Sequence, residues 1–170
     1  MTATMLKIAP VVKSVRVETA QARAFEIFTA GITRWWPRFA SFNRGAPMKD
    51  MFIEGRVGGR WYEVGEDGSE MTLGRVLAWE PPRRFAMTWT MHNKWKPGAD
   101  VATEVEVTFA AEGPAATRVE LSHGLFERLG EEAGAAMRPE VERGWGEMAE
   151  RFKAHAEGRE YAGESKPCSG

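Results

Sequence analysis

Apolar positions recur with period two along most of the chain and with a helical period at its C-terminal end. Val11, Lys13, Val15 and Val17 alternate with Val12, Ser14, Arg16 and Glu18, which predicts a strand with one apolar face. Thr19 fits a helix N-cap ahead of Ala20–Thr29, where Ala24, Phe25 and Phe28 fall at helical spacing, and Gly31 ends that helix. A short aromatic segment, Ile32-Thr-Arg-Trp-Trp-Pro37, follows and closes at its proline, and residues 40–49 read as a loop.

From Met51 the pattern is a run of strands: Met51–Arg56, Arg60–Val64, Met71–Trp79 and Phe85–Met91. Two more alternate through Val105, Val107 and Phe109 and through Val119, Leu121 and His123. Gly58-Gly59, Glu66-Asp67-Gly68, Pro81-Pro82 and Gly113-Pro114 separate most of them at hairpin spacing, so the sheet is predicted to be antiparallel. Residues 92–101 read as a longer loop. Val141, Trp145, Met148 and Phe152 lie on one stripe of a final helix. Pro139 either sits in its first turn or kinks a helix that begins near Glu131. One strand, two short helices, six strands and a long helix make an α+β domain in which a curved antiparallel sheet grips the last helix.

The chain has 170 residues, enough for one domain over 8–156, with 157–170 read as a disordered polar tail. Its 43% hydrophobic and 28% charged residues are ordinary for a globular protein. Seven Trp, nine Phe and nine Met are not ordinary, and imply a heavy core or an aromatic-lined cavity. The net charge of −1 provides no global field for nucleic acid or anionic membranes. Residues 1–60 nevertheless hold ten Lys/Arg against four Asp/Glu, and residues 61–170 thirteen against twenty, an asymmetry expected to mix as the halves interleave. The lone cysteine, Cys168, excludes an intrachain disulfide and a cysteine zinc site and suits a reducing compartment. The apolar run Ile8–Val12 is too short for a secretory leader, and no segment is long enough to span a bilayer. A cytoplasmic protein is expected.

Reactive signatures are absent: there is no nucleophile elbow, no H-E-x-x-H and no phosphate loop. His92, His123 and His155 lack metal-ligand spacing, so neither a metal nor a cofactor is implied. His123 shares strand parity with Val119 and Leu121 and is predicted to point inward. It is either a core histidine bonded to a neighbour or a pocket group that orients a ligand or exchanges protons. Glu63, two residues after Trp61, is the second inward polar candidate, and parity does not decide whether the two meet. Trp35 and Trp36 either plug the end of the sheet or rim a pocket, and Trp145, Met148 and Phe152 either fill the core or roof a cavity.

These segments in order resemble the SRPBCC superfamily, and within it the AHSA-like branch named for the C-terminal domain of the heat-shock-chaperone ATPase activator. The resemblance rests on Arg34-Trp-Trp-Pro37, Gly58-Gly-Arg-Trp-Tyr-Glu63, Asp67-Gly68 and Gly74-Arg-Val-Leu-Ala-Trp-Glu-Pro-Pro-Arg-Arg84. Trp89, Ala102-Thr-Glu-Val-Glu-Val107, Thr117-Arg-Val119, His123-Gly124 and Gly144-Trp145 continue it. It implies a helix-grip fold of the START and birch-pollen-allergen kind: a seven-stranded sheet around the C-terminal helix, with a hydrophobic cavity between. Lipid carriers, plant hormone receptors and polyketide cyclases share that fold, so it constrains function loosely.

The first expectation is a binding protein for a small hydrophobic or amphipathic molecule. Trp61, Met87, Trp89, Phe109, Leu121, Trp145, Met148 and Phe152 would line the cavity, Trp35 and Trp36 its rim, and Glu63 and His123 would anchor polar groups. The alternative is a cyclase, dehydratase or hydrolase using Glu63 and His123 as acid and base. A chaperone-interacting module comes last, because the activator has a further N-terminal domain for which this chain has no room. An exposed sheet edge would allow a homodimer.

Overall fold

The computed structural model describes residues 7–42, 45–91 and 101–161. The expected loop at 92–101, except for Val101, lies outside them, as do His92, Trp95 and Cys168. Seven strands form one sheet: β1 (Val11–Val17), β2 (Met48–Ile53), β3 (Arg60–Gly65), β4 (Glu70–Glu80), β5 (Arg84–Trp89), β6 (Thr103–Ala111) and β7 (Thr117–Gly124). Helices α1 (Gln21–Phe28) and α2 (Ile32–Trp35) follow β1, and α3 (Glu131–Ala156) ends the fold after a 3-10 turn at Phe126–Leu129. The strand order is β1-β7-β6-β5-β4-β3-β2 with every pair antiparallel, a meander whose first strand closes onto its last. This is the predicted α+β helix-grip architecture.

Alternation places one face of each strand inside. Thr103, Val105, Val107 and Phe109 of β6 and Thr117, Val119, Leu121 and His123 of β7 are all buried, and Val105 pairs with His123. Gly74 allows the sheet to curl sharply in β4, which pairs with β3 before it and with β5 after it. A Cβ at Gly74 would stand 1.7 Å from the carbonyl oxygen of Thr88, so only glycine fits.

Several local expectations change. The strand expected at Met51–Arg56 runs instead over Met48–Ile53, because a register shift between Met48 and Asp50 breaks the alternation where it begins. Thr19 is not a cap. Ala20 holds that position without a side-chain bond, while the Thr19 hydroxyl donates to the Ala156 carbonyl at the far end of α3, 2.7 Å away. Pro139 lies inside α3, where both it and Ala135, whose carbonyl loses its helical donor, are exposed to water. The segment expected as a tail begins packed. Glu157 accepts the backbone N–H of Glu18 and the ammonium of Lys153, each at 2.9 Å, and the Arg151 guanidinium lies 4.3 Å from the centre of the Tyr161 ring. Among the described residues, no helix is long and apolar enough to cross a membrane.

Candidate functional site

The buried aromatic residues divide into two groups. Under α1, Phe25, Phe28, Phe85, Phe109 and Phe152 pack edge to face or tilted, except for the stacked pair Phe85–Phe109, with Phe28 and Phe152 centroids 4.9 Å apart. Towards the other end, Trp36, Trp61, Trp89 and Trp145 form a cluster of indoles with centroid separations from 5.1 to 6.3 Å. Trp35 joins the groups, touching Phe28, Trp36 and Phe152. Aromatic pairs in such offset geometries contribute about 0.5–1.5 kcal/mol beyond area burial.

His123 is completely buried among these rings, stacked on Phe126 at 4.9 Å. Its Nδ1 lies 2.9 Å from the Trp145 indole nitrogen, which can only donate, so Nδ1 must accept. The ring proton is therefore on Nε2, 2.7 Å from the Thr103 hydroxyl, which in turn donates to the Trp89 carbonyl at 3.4 Å. Thr103 is available because it lies two residues from Val105 on the same face, diagonal to His123. Burial pushes the His123 pKa down to about 3, so the imidazole stays neutral.

Glu63 is also fully buried, but on β3, with three strands between β3 and β7 in the sheet order. Its Oε1 accepts the backbone N–H of Phe42 at 2.9 Å and the Ser41 hydroxyl at 3.2 Å. Both nitrogens of His123 are committed to Trp145 and Thr103, leaving none for this carboxylate. Glu63 fixes the 41–42 segment against the sheet.

That segment forms one wall of a groove of about 540 Å³. Trp36 and residues 39–42 line one side, Met137, Glu140, Val141, Arg143, Gly144, Glu147 and Met148 of α3 the other, with Trp89 and Trp145 between them. Directly between sheet and helix, the space bounded by Trp35, Leu121, Met148 and Phe152 shrinks to about 10 Å³, room for no more than a water. The groove itself opens beside α3. Of the residues singled out from sequence, Trp36, Trp89, Trp145 and Met148 line the groove. Trp35, Leu121 and Phe152 bound the small remnant, and Trp61, Glu63, Met87, Phe109 and His123 are buried outside both linings.

Sequence reasoning did not single out Phe39, Ser41, Phe42 or Gly144 as site residues. The first three lie in a segment without periodicity. Gly144 carried a signal that was available, a glycine in the interior of a helix, where alanine is favoured by about 1 kcal/mol. It is exposed, and a Cβ there would meet nothing within 4 Å. Two buried donors, the indole nitrogens of Trp61 and Trp89, find no hydrogen-bond partner among the described residues. Also among the described residues, no three His, Cys, Asp or Glu side chains converge as a metal-ligand set.

The family model for Activator of Hsp90 ATPase homolog 1-like protein matches residues 18–157. No curated protein sequence matches the chain. Among solved structures, the anthrahydroquino-γ-pyrone synthase Txn09, solved as a complex, is 37% identical; the match covers 86% of this chain and 96% of that one, with a TM-score of 0.60. The self-sacrificing resistance protein CalC from Micromonospora echinospora is 30% identical, over 91% of this chain and 98% of that one, with a TM-score of 0.66. MLL2253 from Mesorhizobium loti, at 18% identity and a TM-score of 0.60 over 85% of this chain and 93% of that one, shares the fold. Together with the gripped helix and the seven-stranded meander, these matches place the chain in the family of Activator of Hsp90 ATPase homolog 1-like proteins, within the SRPBCC superfamily.

Proposed function

We propose that the protein binds a planar, polycyclic aromatic small molecule in the groove between α3 and the 36–42 segment. The observation that carries this reading is the groove itself: about 540 Å³, lined by the indoles of Trp36, Trp89 and Trp145, with Gly144 leaving the helix wall bare. That volume falls within the range of small-molecule sites, and indole rings offer flat apolar faces for stacking. The product class in the name of the similar synthase, a pyrone fused to an anthrahydroquinone, has the flat fused rings such a groove suits.

The test is a titration with an anthraquinone, followed by tryptophan fluorescence and thermal unfolding. Binding at 100 times the dissociation constant adds about 2.7 kcal/mol, a rise of several degrees in Tm accompanied by quenching. No quenching and no shift across anthraquinones, sterols and fatty acids would remove the reading.

The likeness to a synthase favours a second reading, in which the bound molecule is also cyclised. His123 is poorly placed for proton transfer there, because both nitrogens are bonded and its pKa is pushed down to about 3. Glu140 and Glu147, which line the groove, are the carboxylates a bound molecule would meet. A pH–rate profile lost in Glu147→Gln but kept in His123→Phe would support turnover from α3.

A further inference from the structure

On the other side of Trp36 lies a second depression, also of about 540 Å³, lined by Thr33, Arg34, Trp35, Pro37, Arg38, Lys49, Asp50 and Arg151 as well as Trp36 itself. Four cations from three separate elements converge there. Four other arginines meet carboxylates at 3.1 Å or less, Arg16 with Glu112, Arg60 with Glu70, Arg84 with Glu106 and Arg128 with Glu104, while Arg75, Arg83 and Arg143 form no ion pair among the described residues. Arg34, Arg38 and Lys49 form no ion pair among the described residues. Arg151 reaches Glu147 at 3.4 Å, but its Nε is buried without a hydrogen-bond partner. Asp50, the one acid in the lining, takes the Thr33 hydroxyl at 3.3 Å.

Four cations against one lining carboxylate leave an excess of positive charge, and its field is felt nearby. The pKa of His155 is lowered by burial first and then by Arg34 and Arg23. An anion placed among these groups would offset that excess and gain directed donors from guanidinium groups. The depression and the groove are neighbours. Trp36 lines both, and the Arg151 guanidinium lies 5.2 Å from the centre of the Phe39 ring, which lines the groove.

Building on the groove as the binding site, we propose that this basic pocket receives an acidic substituent of the same ligand, so that the protein selects a planar aromatic acid whose rings occupy the groove and whose carboxylate, sulfonate or phosphate lies among Arg34, Arg38, Lys49 and Arg151.

Two dyes with the same ring system separate the parts of this claim: 1-anilinonaphthalene-8-sulfonate carries an anion, and N-phenyl-1-naphthylamine does not. Arg34 and Arg38 are exposed and unpaired, so Arg34→Gln/Arg38→Gln leaves the fold intact. The double variant is expected to bind the sulfonate about tenfold more weakly, a few-fold for each exposed pairing lost, and the neutral dye as the parent does. Raising the salt concentration weakens the sulfonate alone. Equal changes for both dyes, or none for either, overturn the anion pocket while leaving the groove. Failure of both dyes to bind the parent protein removes the groove and this inference with it. Inorganic phosphate distinguishes an attached acid from a free one. Displacement of the sulfonate dye only at millimolar phosphate fits the attached group, whereas micromolar phosphate binding with the neutral dye still in place makes the pocket an independent anion site and contradicts the link.

Discussion

Trp145 donates its indole N–H to Nδ1 of His123 across 2.9 Å, joining the middle of α3 to the last strand of the sheet. The bond fixes the tautomer of the histidine, and the resulting Nε2–H donates to the Thr103 hydroxyl oxygen. The histidine that the sequence offers as an acid or base is bonded at both ring nitrogens and clamps α3 to the sheet.

This clamp predicts a particular acid response. With a folded-state pKa of about 3 against an ordinary value of 6.5, His123 stays neutral while the unfolded chain takes up a proton. Its contribution to stability is complete above pH 6.5 and is lost as pH falls from there towards 3, by about 1.4 kcal/mol per pH unit. His123→Phe should be less stable than the parent at pH 7.5, by about 1–3 kcal/mol for the buried Trp145 donor left unpaired. Its loss of stability between pH 6.5 and 5 should be shallower by the histidine's share. Urea unfolding at both pH values checks this, and parallel slopes would assign the acid sensitivity to another group.

Gly144 predicts opposite effects on stability and binding. Alanine in this exposed interior position of α3 meets no neighbour within 4 Å, so Gly144→Ala should stabilise by about 1 kcal/mol and raise Tm by roughly 2–4 °C. The same methyl stands in the groove, so affinity for a neutral aromatic dye should fall, and Gly144→Leu should reduce it further. Calorimetry and dye titration on the same samples give both readouts. Unchanged affinity in both variants would show that ligands do not approach this part of the helix.

Glu157 ties the end of α3 to Glu18, just past the end of β1. Partial burial by itself would raise its carboxyl pKa, but hydrogen bonds from Arg159, Lys153 and the Glu18 N–H outweigh this and hold it down to about 2. The stability it provides is present above its ordinary pKa near 4.5 and is lost as pH falls towards 2. Allowing for solvent screening, Glu157→Gln should cost about 1–2 kcal/mol at pH 7 and nothing near pH 2. Equal stability of variant and parent at pH 7 would show the tie to be loose.

Much of this was legible in the sequence because it depends on local periodicity. The alternation through Val119, Leu121 and His123 gave both the strand and its inward face, and the stripe Val141, Trp145, Met148 and Phe152 gave the gripping helix. What was not legible depends on contacts between distant segments. Thr19 has the chemistry of a cap, but the packing of α3 draws its hydroxyl to Ala156 instead. Glu63 and His123 share an inward-facing pattern, yet the curl of the sheet gives each its own partners. The basic pocket gathers Arg34, Arg38, Lys49 and Arg151 from positions more than a hundred residues apart, visible beforehand only as an excess of positive charge in the first sixty residues.

The groove is tested most directly by the indole N–H resonances of uniformly 15N-labelled protein, one for each of the seven tryptophans, assigned by single Trp→Phe substitutions. On titration with N-phenyl-1-naphthylamine, saturable shifts are predicted at Trp36, Trp89 and Trp145, while Trp79, which packs against Phe25 and Phe85 at the other end of the core, stays in place. Saturable shifts confined to Trp79 and Trp35, or none at any indole, would contradict a ligand site beside α3.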